Sequence, residues 1–335
     1  MSNIIDVAKL AGVSVATVSR VINGNQKVKP DTEKRVNEAI KTLGYKPNLQ
    51  ARNLRRLDTG VIMVMLPFLT NPFYSRILMG ISDEAMKVNY HVLICQTKNN
   101  KKYEEEFLNM LLEKKVDGAI LLTTQNSEKK VIKLSKSYPI IQCCEYLQDY
   151  NIPHVSINNY QAAKDVMRYL IDSGHSRIAM ISSKNKEIST QERVKAYRDE
   201  LEAAGIQYNE EYFQEADEEY SFNSAQICAD KLLDLPERPT AIFCISDVMA
   251  LSVVRVAELR RIKVPEELSV VGFDNVEYST MFNPTITTID QPCYKMGKKA
   301  MQMMYSLIND PENLDEMRVF LKHNLIVRES TCKIQ

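Results

Sequence analysis

The chain has 335 residues and a mass of 38.4 kDa, and its 43 basic and 43 acidic side chains give a formal net charge of zero. A hydrophobic share of 44% and a charged share of 26% are typical of a globular protein and exclude extensive disorder or collagen-like order. The sequence has no apolar run of about 18 residues and no basic-then-apolar leader, so neither a membrane-spanning nor a secreted protein is expected. We expect a cytoplasmic protein with roughly two or three packed units.

The zero net charge conceals an uneven distribution. Residues 1–60 carry eleven Lys and Arg against five Asp and Glu, and the remaining 275 residues hold the other 32 basic and 38 acidic side chains. A small cationic unit therefore precedes a larger, mildly anionic one. The first unit can approach a polyanion such as DNA, whereas the second would not do so by itself.

The N-terminal segment predicts three short helices. The first ends at Gly12, Ser14 can cap the second, and Pro30 opens the third. Small or branched side chains at Ala8 and Val18, around a tight turn at Gly12, are typical of a helix-turn-helix unit. The apolar residues expected on the inner faces are Ile5, Val7, Ala8, Leu10, Ala11, Val15, Val18, Val21, Ile22, Val36, Ala39, Ile40 and Leu43.

In a helix-turn-helix unit, the second helix enters the major groove and its N-terminal residues face the base edges. Arg20 can donate to guanine O6 and N7, whereas Val15 and Ala16 can contact thymine methyl groups. A good bidentate pair discriminates between bases by about 1–3 kcal/mol. The residues expected to contact phosphates are Thr17, Ser19, Asn23 and Lys27.

The string IIDVAKLAGVSVATVSRVINGNQKVKPDTEKRVNEAIKTLGYKPNLQARNLRR resembles the headpiece of the lactose/galactose repressor family of bacterial transcription regulators, and the similarity continues through nearly the whole chain. The resemblance implies a sequence-specific DNA-binding regulator, expected to be a repressor, whose operator affinity is controlled by a small effector. Because one headpiece covers only about 600–1,000 Å², we expect two of them, from a homodimer, on a pseudo-palindromic operator.

A short hinge helix is expected within residues 47–60. A helix of about nine residues is shorter than the roughly 12–15 needed to persist in water, so it should order only when supported. The resemblance implies that hinge helices from two subunits pair in the minor groove and wedge a leucine into a base step. The residues that match this motif are Ala51, Leu54 and Arg55.

From residue 61 onward, apolar strands alternate with helices, which is typical of parallel sheets covered on both faces. We expect an α/β body of two similar subdomains with a cleft between them, as in the periplasmic sugar-binding proteins that the family resembles. Strands are expected at 61–66, 91–96, 118–123, 140–144, 154–158, 177–182, 240–245, 268–273 and 286–290. Helices are expected at 74–88, 103–114, 160–173, 191–204, 223–234, 247–261 and 293–309.

These patterns and the resemblance together predict the domain organisation. The expected domains are a helix-turn-helix headpiece at 1–46, a hinge at 47–60, and an effector-binding and dimerisation domain at 61–335. The last is expected to comprise an N-subdomain at about 61–160 and 291–320, and a C-subdomain at about 161–290 and 321–335.

Ligands of parallel sheets bind beyond the carboxyl ends of the strands. Ser246 and Asp247 follow one apolar strand, Asp274 follows a second and Gln291 a third. The resemblance adds Arg193, which with Asp274 would bind ligand hydroxyl groups as donor and acceptor. The other positions that it implies for the effector site are Phe73 and Tyr74, which would stack on a ring, Asn158, and either Tyr220 or Phe222.

Two segments bear on the chemical class of the effector. The segments CCEYLQDYNIPHVSINN and RPTAIFCISDVMAL are similar to the cytidine-repressor branch of the family, which favours a nucleoside or ribose-like effector over a hexose. Two other functions share some of these features. A transport-type solute-binding protein would have the cleft without the headpiece, and a DNA-bending architectural protein would have the basic unit without the α/β body.

No motif for catalysis or for a cofactor is found, so neither an enzyme nor a metal site is expected. The histidines lack zinc-site spacing, and GxxxxGK[ST] and strand-linked GxGxxG motifs are absent. His175, after Gly174 at a predicted helix end, is expected to be structural. The seven cysteines include no CxxC pair, and Cys143 and Cys144 are expected to point to opposite faces of a strand and to serve packing.

Overall fold

A computed structural model describes residues 3–22, 28–45, 58–123, 127–311 and 316–334. The chain divides into two units, residues 1–59 and residues 60–335. Across the described ranges, none of the helices combines the length and the apolar character needed to cross a lipid bilayer.

The first unit contains three helices, α1 (Ile4–Ala11), α2 (Val15–Ile22) and α3 (Pro30–Thr42). Asn3 and Asp6 form a capping box at the start of α1, in which Asn3 Oδ1 accepts from the backbone of Asp6 and Asp6 Oδ2 accepts from that of Asn3. Gly12 ends the helix with a φ of 64°, a conformation that costs a glycine little. The Ser14 hydroxyl accepts from the backbone N–H of Thr17 and so caps α2.

A small apolar core holds the three helices together. Val7, Val18 and Val36 are fully buried in it. The prediction that Ile5 and Leu10 face this core is wrong, because they are 52% and 54% exposed. Successive residues of a helix are rotated by about 100° about its axis, which places Ile5 and Leu10 well to the side of the face on which Val7 is buried.

The second unit alternates strands and helices, with two short antiparallel strands near its end. The strands are β1 (Val61–Leu66), β2 (His91–Gln96), β3 (Gly118–Leu121), β4 (Ile140–Cys143), β5 (His154–Ile157), β6 (Ile178–Ser183), β7 (Phe213–Ala216), β8 (Ala241–Cys244), β9 (Ser269–Val271), β10 (Thr288–Asp290), β11 (Arg318–Leu321) and β12 (Asn324–Ile326). The helices are α4 (Pro72–Lys87), α5 (Lys101–Leu112), α6 (Glu128–Ser135), α7 (Asn159–Asp172), α8 (Ile188–Ala203), α9 (Phe222–Leu233), α10 (Asp247–Leu259) and α11 (Cys293–Asn309). Two 3₁₀ turns lie at Glu210–Tyr212 and Glu277–Thr280.

Two parallel sheets organise this unit, as predicted. The first has six strands in the order β11-β5-β4-β3-β1-β2, and the second has four in the order β7-β6-β8-β9. The chain passes from the first sheet to the second after β5, returns after β10, and leaves the first sheet again after β11. Strands β10 and β12 form an antiparallel pair at this crossing.

Helices α4 and α11 cross with their backbones in close contact. A Cβ added at Gly80 would lie 2.1 Å from the carbonyl oxygen of Tyr294, and one at Gly297 would lie 2.1 Å from that of Ile77. Both glycines are therefore required by packing, because neither backbone atom can move away without displacing a helix.

The prediction that Cys143 and Cys144 point to opposite faces of a strand is wrong, whereas both side chains are buried in the core, in line with their predicted packing role. Strand β4 ends at Cys143, and Cys144 has a φ of 76°, which breaks the alternation of side chains. The two Sγ atoms lie 3.8 Å apart in the core as free thiols. Burial raises the pKa of Cys144 well above the ordinary value of a thiol.

Candidate functional site

Helix α2 presents the surface that the sequence nominates for contact with DNA. Arg20 and Ala16 are exposed, and between them Val18 is buried in the core of the headpiece. The three other predicted contacts on this helix, Val15, Thr17 and Ser19, are half-buried. The predicted contacts Asn23, Lys27, Ala51, Leu54 and Arg55, and the expected hinge helix, lie outside the described residues.

A small polar cavity of about 30 Å³ lies in the second unit, at the carboxyl ends of strands from both sheets. Cys144 and Glu145 follow strand β4 of the first sheet, whereas Ile245 and Ser246 follow strand β8 of the second. The full lining is Asn71, Phe73, Tyr74, Cys144, Glu145, Asn159, Ser189, Arg193, Tyr220, Ile245, Ser246, Asp274 and Gln291. We call this space the cleft.

Arg193 of helix α8 supplies a buried guanidinium group to the cleft. Its Nε and Nη2 atoms donate to Asn159 Oδ1 at 3.1 and 2.8 Å, and its Nη1 atom donates to the Ile245 carbonyl at 2.8 Å. The guanidinium carbon lies 3.6 Å from the centroid of the Phe273 ring. These contacts fix the orientation of the cation.

Asp274 supplies a buried carboxyl group on the same side of the cleft. It is 7% exposed and has a φ of 111°, which is rare outside glycine and is often found at functional sites. Its Oδ1 atom accepts from Gln291 Nε2 at 2.6 Å. Burial raises the pKa of Asp274 to about 7, and the nearby charge of Arg193 opposes that rise.

Glu145 is a further carboxyl group of the cleft that the sequence analysis missed. One oxygen of Glu145 accepts from the hydroxyl of Ser189 at 2.5 Å, and the other accepts from the backbone N–H of Ser189 at 3.1 Å. These two bonds join the loop after β4 to the start of α8. Burial raises the pKa of Glu145, while the bonds from Ser189 and the charge of Arg193 lower it. Glu145 lies two residues after the end of an apolar strand, so the rule that nominated Asp274 could have found it.

Aromatic rings close the remaining sides of the cleft. Phe73 and Tyr74 lie at the start of α4, with an edge-to-face arrangement and ring centroids 5.3 Å apart. Tyr220 has a φ of 57°, and its hydroxyl accepts from Asn185 Nδ2 at 2.6 Å. Burial raises the pKa of Tyr74 and of Tyr220, so both are neutral phenols at neutral pH.

Three of the predicted effector residues do not line the cleft. Asn158 is exposed and caps helix α7 by accepting from the backbone of Gln161 at 2.8 Å, and the next residue, Asn159, faces Arg193 instead. Asp247 is fully buried behind the cleft, where it accepts from the backbone of Val276 at 2.8 Å. It also accepts from the hydroxyl of Thr288 at 2.6 Å, which makes it an anchor for the loop after β9.

Phe222 belongs to a different space. It is 36% exposed at the first position of helix α9 and lines a larger, mostly apolar cavity of about 590 Å³. Of the two alternatives for the aromatic position, Tyr220 is the residue that lines the cleft. Tyr220 and Asn71 line both cavities and therefore separate them.

Among the described residues, no three His, Cys, Asp or Glu side chains are placed to hold a metal ion. His175 is buried and lies 3.0 Å from the hydroxyl of Thr240 and 3.3 Å from the carbonyl oxygen of Cys332. Burial lowers the pKa of His175, so it is a neutral packing residue, in line with the structural role expected from the sequence.

Comparisons with known proteins cover nearly the whole chain. A family model described as "Bacterial regulatory proteins, lacI family" matches residues 3–48, and one described as "Periplasmic binding protein-like domain" matches residues 167–331. The chain is 40% identical to catabolite control protein A of Priestia megaterium, over 98% of each protein. It is 34% identical to the HTH-type transcriptional repressor CytR of Escherichia coli (strain K12), over 97% of this chain and 95% of that protein.

Solved structures show the same architecture. The complex of the transcriptional regulator CelR with cellobiose superposes with a TM-score of 0.75 at 29% identity, over 98% of this chain and 100% of that one. The lac repressor dimer bound to operator and the anti-inducer ONPF superposes with a TM-score of 0.88 at 24% identity, over 99% of each chain. The second match concerns the fold alone.

Proposed function

The chain belongs to the lacI family of bacterial regulatory proteins, and from this membership we infer that it is a DNA-binding transcriptional repressor whose operator affinity is controlled by a small effector. One observation carries the inference: a headpiece with an exposed arginine on its second helix precedes a body with a buried polar cleft on the same chain. A solute-binding protein has no use for the headpiece, and an architectural protein has no use for the cleft.

We propose that α2 reads the operator in the major groove. Arg20 contacts guanine, and Val15 and Ala16 contact thymine methyl groups. Thr17, Ser19, Asn23 and Lys27 contact phosphates. The proposed hinge contacts are Ala51, Leu54 and Arg55, with Leu54 as the wedge. The repressor binds as a homodimer because one headpiece covers too little DNA for specific binding.

We further propose the domain boundaries given above, with a headpiece at 1–46, a hinge at 47–60 and the body at 61–335. Within the body, the two sheets support a division into subdomains. The first sheet takes its strands from 61–157 and 318–321, and the second takes its strands from 178–271. The effector lies between these two groups of strands.

The proposed effector site differs from the sequence-based set. It keeps Phe73, Tyr74, Arg193, Tyr220, Ser246, Asp274 and Gln291, replaces Asn158 with Asn159, and adds Glu145. Arg193 and Asp274 offer a donor and an acceptor to a hydroxylated ligand. A volume of about 30 Å³ is far below the roughly 300–1,000 Å³ of typical small-molecule sites, so we propose that the two sheets separate when an effector enters.

This movement gives the proposed mechanism of control. An effector that binds one arrangement of the two sheets more tightly than the other shifts the population between them. The shift changes how the two hinge segments of the dimer are supported, and their short helices form or melt accordingly. A coupling of about 1–3 kcal/mol changes operator affinity about 5- to 150-fold. We propose no catalytic role for any residue. We also propose that the repressor acts in the cytoplasm, where the chromosome lies.

An operator titration tests the proposal. Operator sequences are selected from a random duplex library with the full-length protein, and affinity is then measured by fluorescence anisotropy with and without candidate sugars and nucleosides. We expect a pseudo-palindromic site and an effector-dependent change in affinity. Equal binding to every duplex would contradict sequence-specific recognition, and a lack of response to any ligand would contradict effector control.

A further inference from the structure

A groove of about 380 Å³ lies between helix α8 and strands β6 and β7 of the second sheet. Ser182 of β6 pairs with Glu215 of β7, so the two side chains lie on the same face of the sheet, which also carries Phe213. The residues that line the groove from α8, at the spacing of one helix face, include Gln191, Val194, Lys195 and Arg198. The volume of the groove lies within the roughly 300–1,000 Å³ of typical small-molecule sites.

The groove is separate from the cleft. Among the described residues, none lines both spaces. Asn185 and Thr190 line the groove, and both contact the hydroxyl of Tyr220, to which Asn185 Nδ2 donates at 2.6 Å and from which Thr190 Oγ1 lies 3.2 Å away. Because Tyr220 lines the cleft, its side chain lies between the two spaces, and a ligand of the groove would not occupy the effector site proposed above.

A buried hydroxyl group without a partner lies in the lining of the groove. Ser182 is fully buried, and its Oγ atom has no hydrogen-bond partner in the part of the chain that the structure describes. The neighbouring Ser183 differs, because its hydroxyl donates to the carbonyl oxygen of Asp217 at 2.8 Å. Nearly all buried polar side chains in proteins are hydrogen-bonded, so a polar group of a ligand in the groove would satisfy Ser182.

Two side chains of opposite charge line the groove without pairing with each other. Lys195 and Asp199 form an ion pair, with 3.4 Å between Nζ and Oδ2, and so compensate one another. Arg198 and Glu215 also line the groove, but neither forms an ion pair with any of the described side chains. The guanidinium carbon of Arg198 lies 5.4 Å from the centroid of the Phe213 ring. The groove therefore offers one unpaired cation and one unpaired anion.

This arrangement suits a ligand that carries both charges. A carboxylate can accept two parallel hydrogen bonds from a guanidinium group such as that of Arg198, and an ammonium group can donate to the carboxylate of Glu215. Both side chains are exposed, so each ion pair is weak by itself, and a ligand with a single charge gains only one of the two. Val194 and Phe213 offer apolar surface to the hydrocarbon part of such a ligand.

We propose that the groove is a binding site for a free amino acid in its zwitterionic form. The carboxylate binds Arg198 and accepts a hydrogen bond from the hydroxyl of Ser182, and the ammonium group binds Glu215. The site is additional to the proposed effector site and does not depend on it. An α-amino acid and an ω-amino acid share this chemistry and differ in the distance between their two charges.

Matched ligands test the inference on the full-length protein by saturation-transfer difference NMR. One set is leucine with isoamylamine and isocaproate, and the other is γ-aminobutyrate with propylamine and butyrate. In each set only the amino acid carries both charges. We expect the amino acid of one set to bind at least about threefold more tightly than either of its single-charge analogues, as for the loss of one exposed ion pair. The set that shows this preference identifies the distance between the charges. Equal binding within both sets, or no binding of either amino acid, would overturn the inference.

Substitutions test whether the amino acid binds in the groove. Arg198→Gln and Glu215→Gln should each weaken its binding about threefold or more. Lys184→Gln is the matched control, because it removes an exposed cation that does not line the groove, and it should leave the affinity unchanged. Equal affinities in the unmodified protein, Arg198→Gln and Glu215→Gln would place the ligand elsewhere and overturn the inference.

Ser182→Ala separates binding from folding. The variant should weaken binding of the amino acid without lowering the midpoint of thermal unfolding, because the hydroxyl that it removes has no partner in the free protein. An unchanged affinity, or a lower midpoint of unfolding measured without the amino acid, would show that the hydroxyl of Ser182 does not await a ligand and would overturn the inference.

Discussion

Arg193 directs two hydrogen bonds to a single oxygen, Oδ1 of Asn159, at 3.1 and 2.8 Å. Asn159 is the first residue of helix α7, so the bonds tie the end of one helix to the side of another. The guanidinium is held in place before any ligand arrives. Preorganisation of this kind raises affinity because less freedom is lost on binding.

Replacement of Asn159 by alanine should therefore weaken the effector response. The change removes both bonds and leaves Arg193 held by its bond to the Ile245 carbonyl and its contact with the Phe273 ring, so we expect effector affinity to fall about tenfold or more, as for the loss of a hydrogen bond to a charged group. Titration calorimetry with the effector measures this. Asn158→Ala is the matched control, since it should cost about 0.5–2 kcal/mol of stability through the lost helix cap and leave effector affinity unchanged. Equal losses of affinity in the two variants would contradict the role of Asn159.

Asp274→Asn should change how stability depends on pH. Burial raises the pKa of Asp274 to about 7 in the folded protein, so the folded state binds more protons than the unfolded chain between the ordinary value of 3.8 and about pH 7. The contribution of Asp274 to the free energy of unfolding therefore decreases as the pH rises from 3.8 to about 7. Relative to the unmodified protein, the variant should gain stability between about pH 5 and about pH 8, at up to about 1.4 kcal/mol per pH unit. Urea unfolding at both values tests this, and a difference that is the same at both would refute it.

Gly297→Ala should strongly destabilise the body. Its added methyl group would lie 2.1 Å from the carbonyl oxygen of Ile77, and helices α4 and α11 would have to separate. We expect a loss of about 3 kcal/mol, at the upper end for an overpacked core. Gly205→Ala is the control, because a side chain there meets nothing within 4 Å and only the φ of 68° is unfavourable, at about 1–2 kcal/mol. Thermal unfolding ranks the two variants, and equal losses would show that α4 and α11 can adjust.

Arg20→Ala should reduce discrimination between operator sequences. Loss of a bidentate contact to guanine lowers the preference for the correct base by about 1–3 kcal/mol, while binding to unrelated DNA changes far less. Competition titrations with operators altered one base pair at a time measure this. Lys41→Ala, which removes an exposed charge from helix α3, should leave discrimination unchanged. If Arg20→Ala weakens binding to all sequences equally, Arg20 contacts phosphates and not bases.

Much of the fold could be predicted because the buried strands are uninterrupted apolar runs. Strand β1, VIMVML, has the predicted bounds, and α11 begins and ends at the predicted residues. The elements that were not predicted are short or polar. Strand β7 has the sequence FQEA, which is not an apolar run. It lies at the edge of its sheet, where a strand has only one neighbouring strand and can carry polar side chains.

The cleft could be predicted only in part, because single-residue details decide which side chains enter it. Asn158 and Asn159 are adjacent and chemically identical, and the helix start assigns the first to a cap and the second to Arg193. Asp247 follows a strand as Asp274 does, yet its carboxylate turns to the backbone of Val276. Periodicity gives the face of a helix or strand, but not the partner that a polar side chain selects among its neighbours.

The position of β11 in the first sheet has a consequence for synthesis of the chain on the ribosome. This edge strand pairs with β5, and helix α11 packs against the same sheet, yet both are made about 130 residues or more after β5. The second sheet uses only residues 178–271 and is complete well before then. During translation, the later-encoded sheet can therefore finish folding first, while the earlier one keeps an open edge until residues 318–321 have been made.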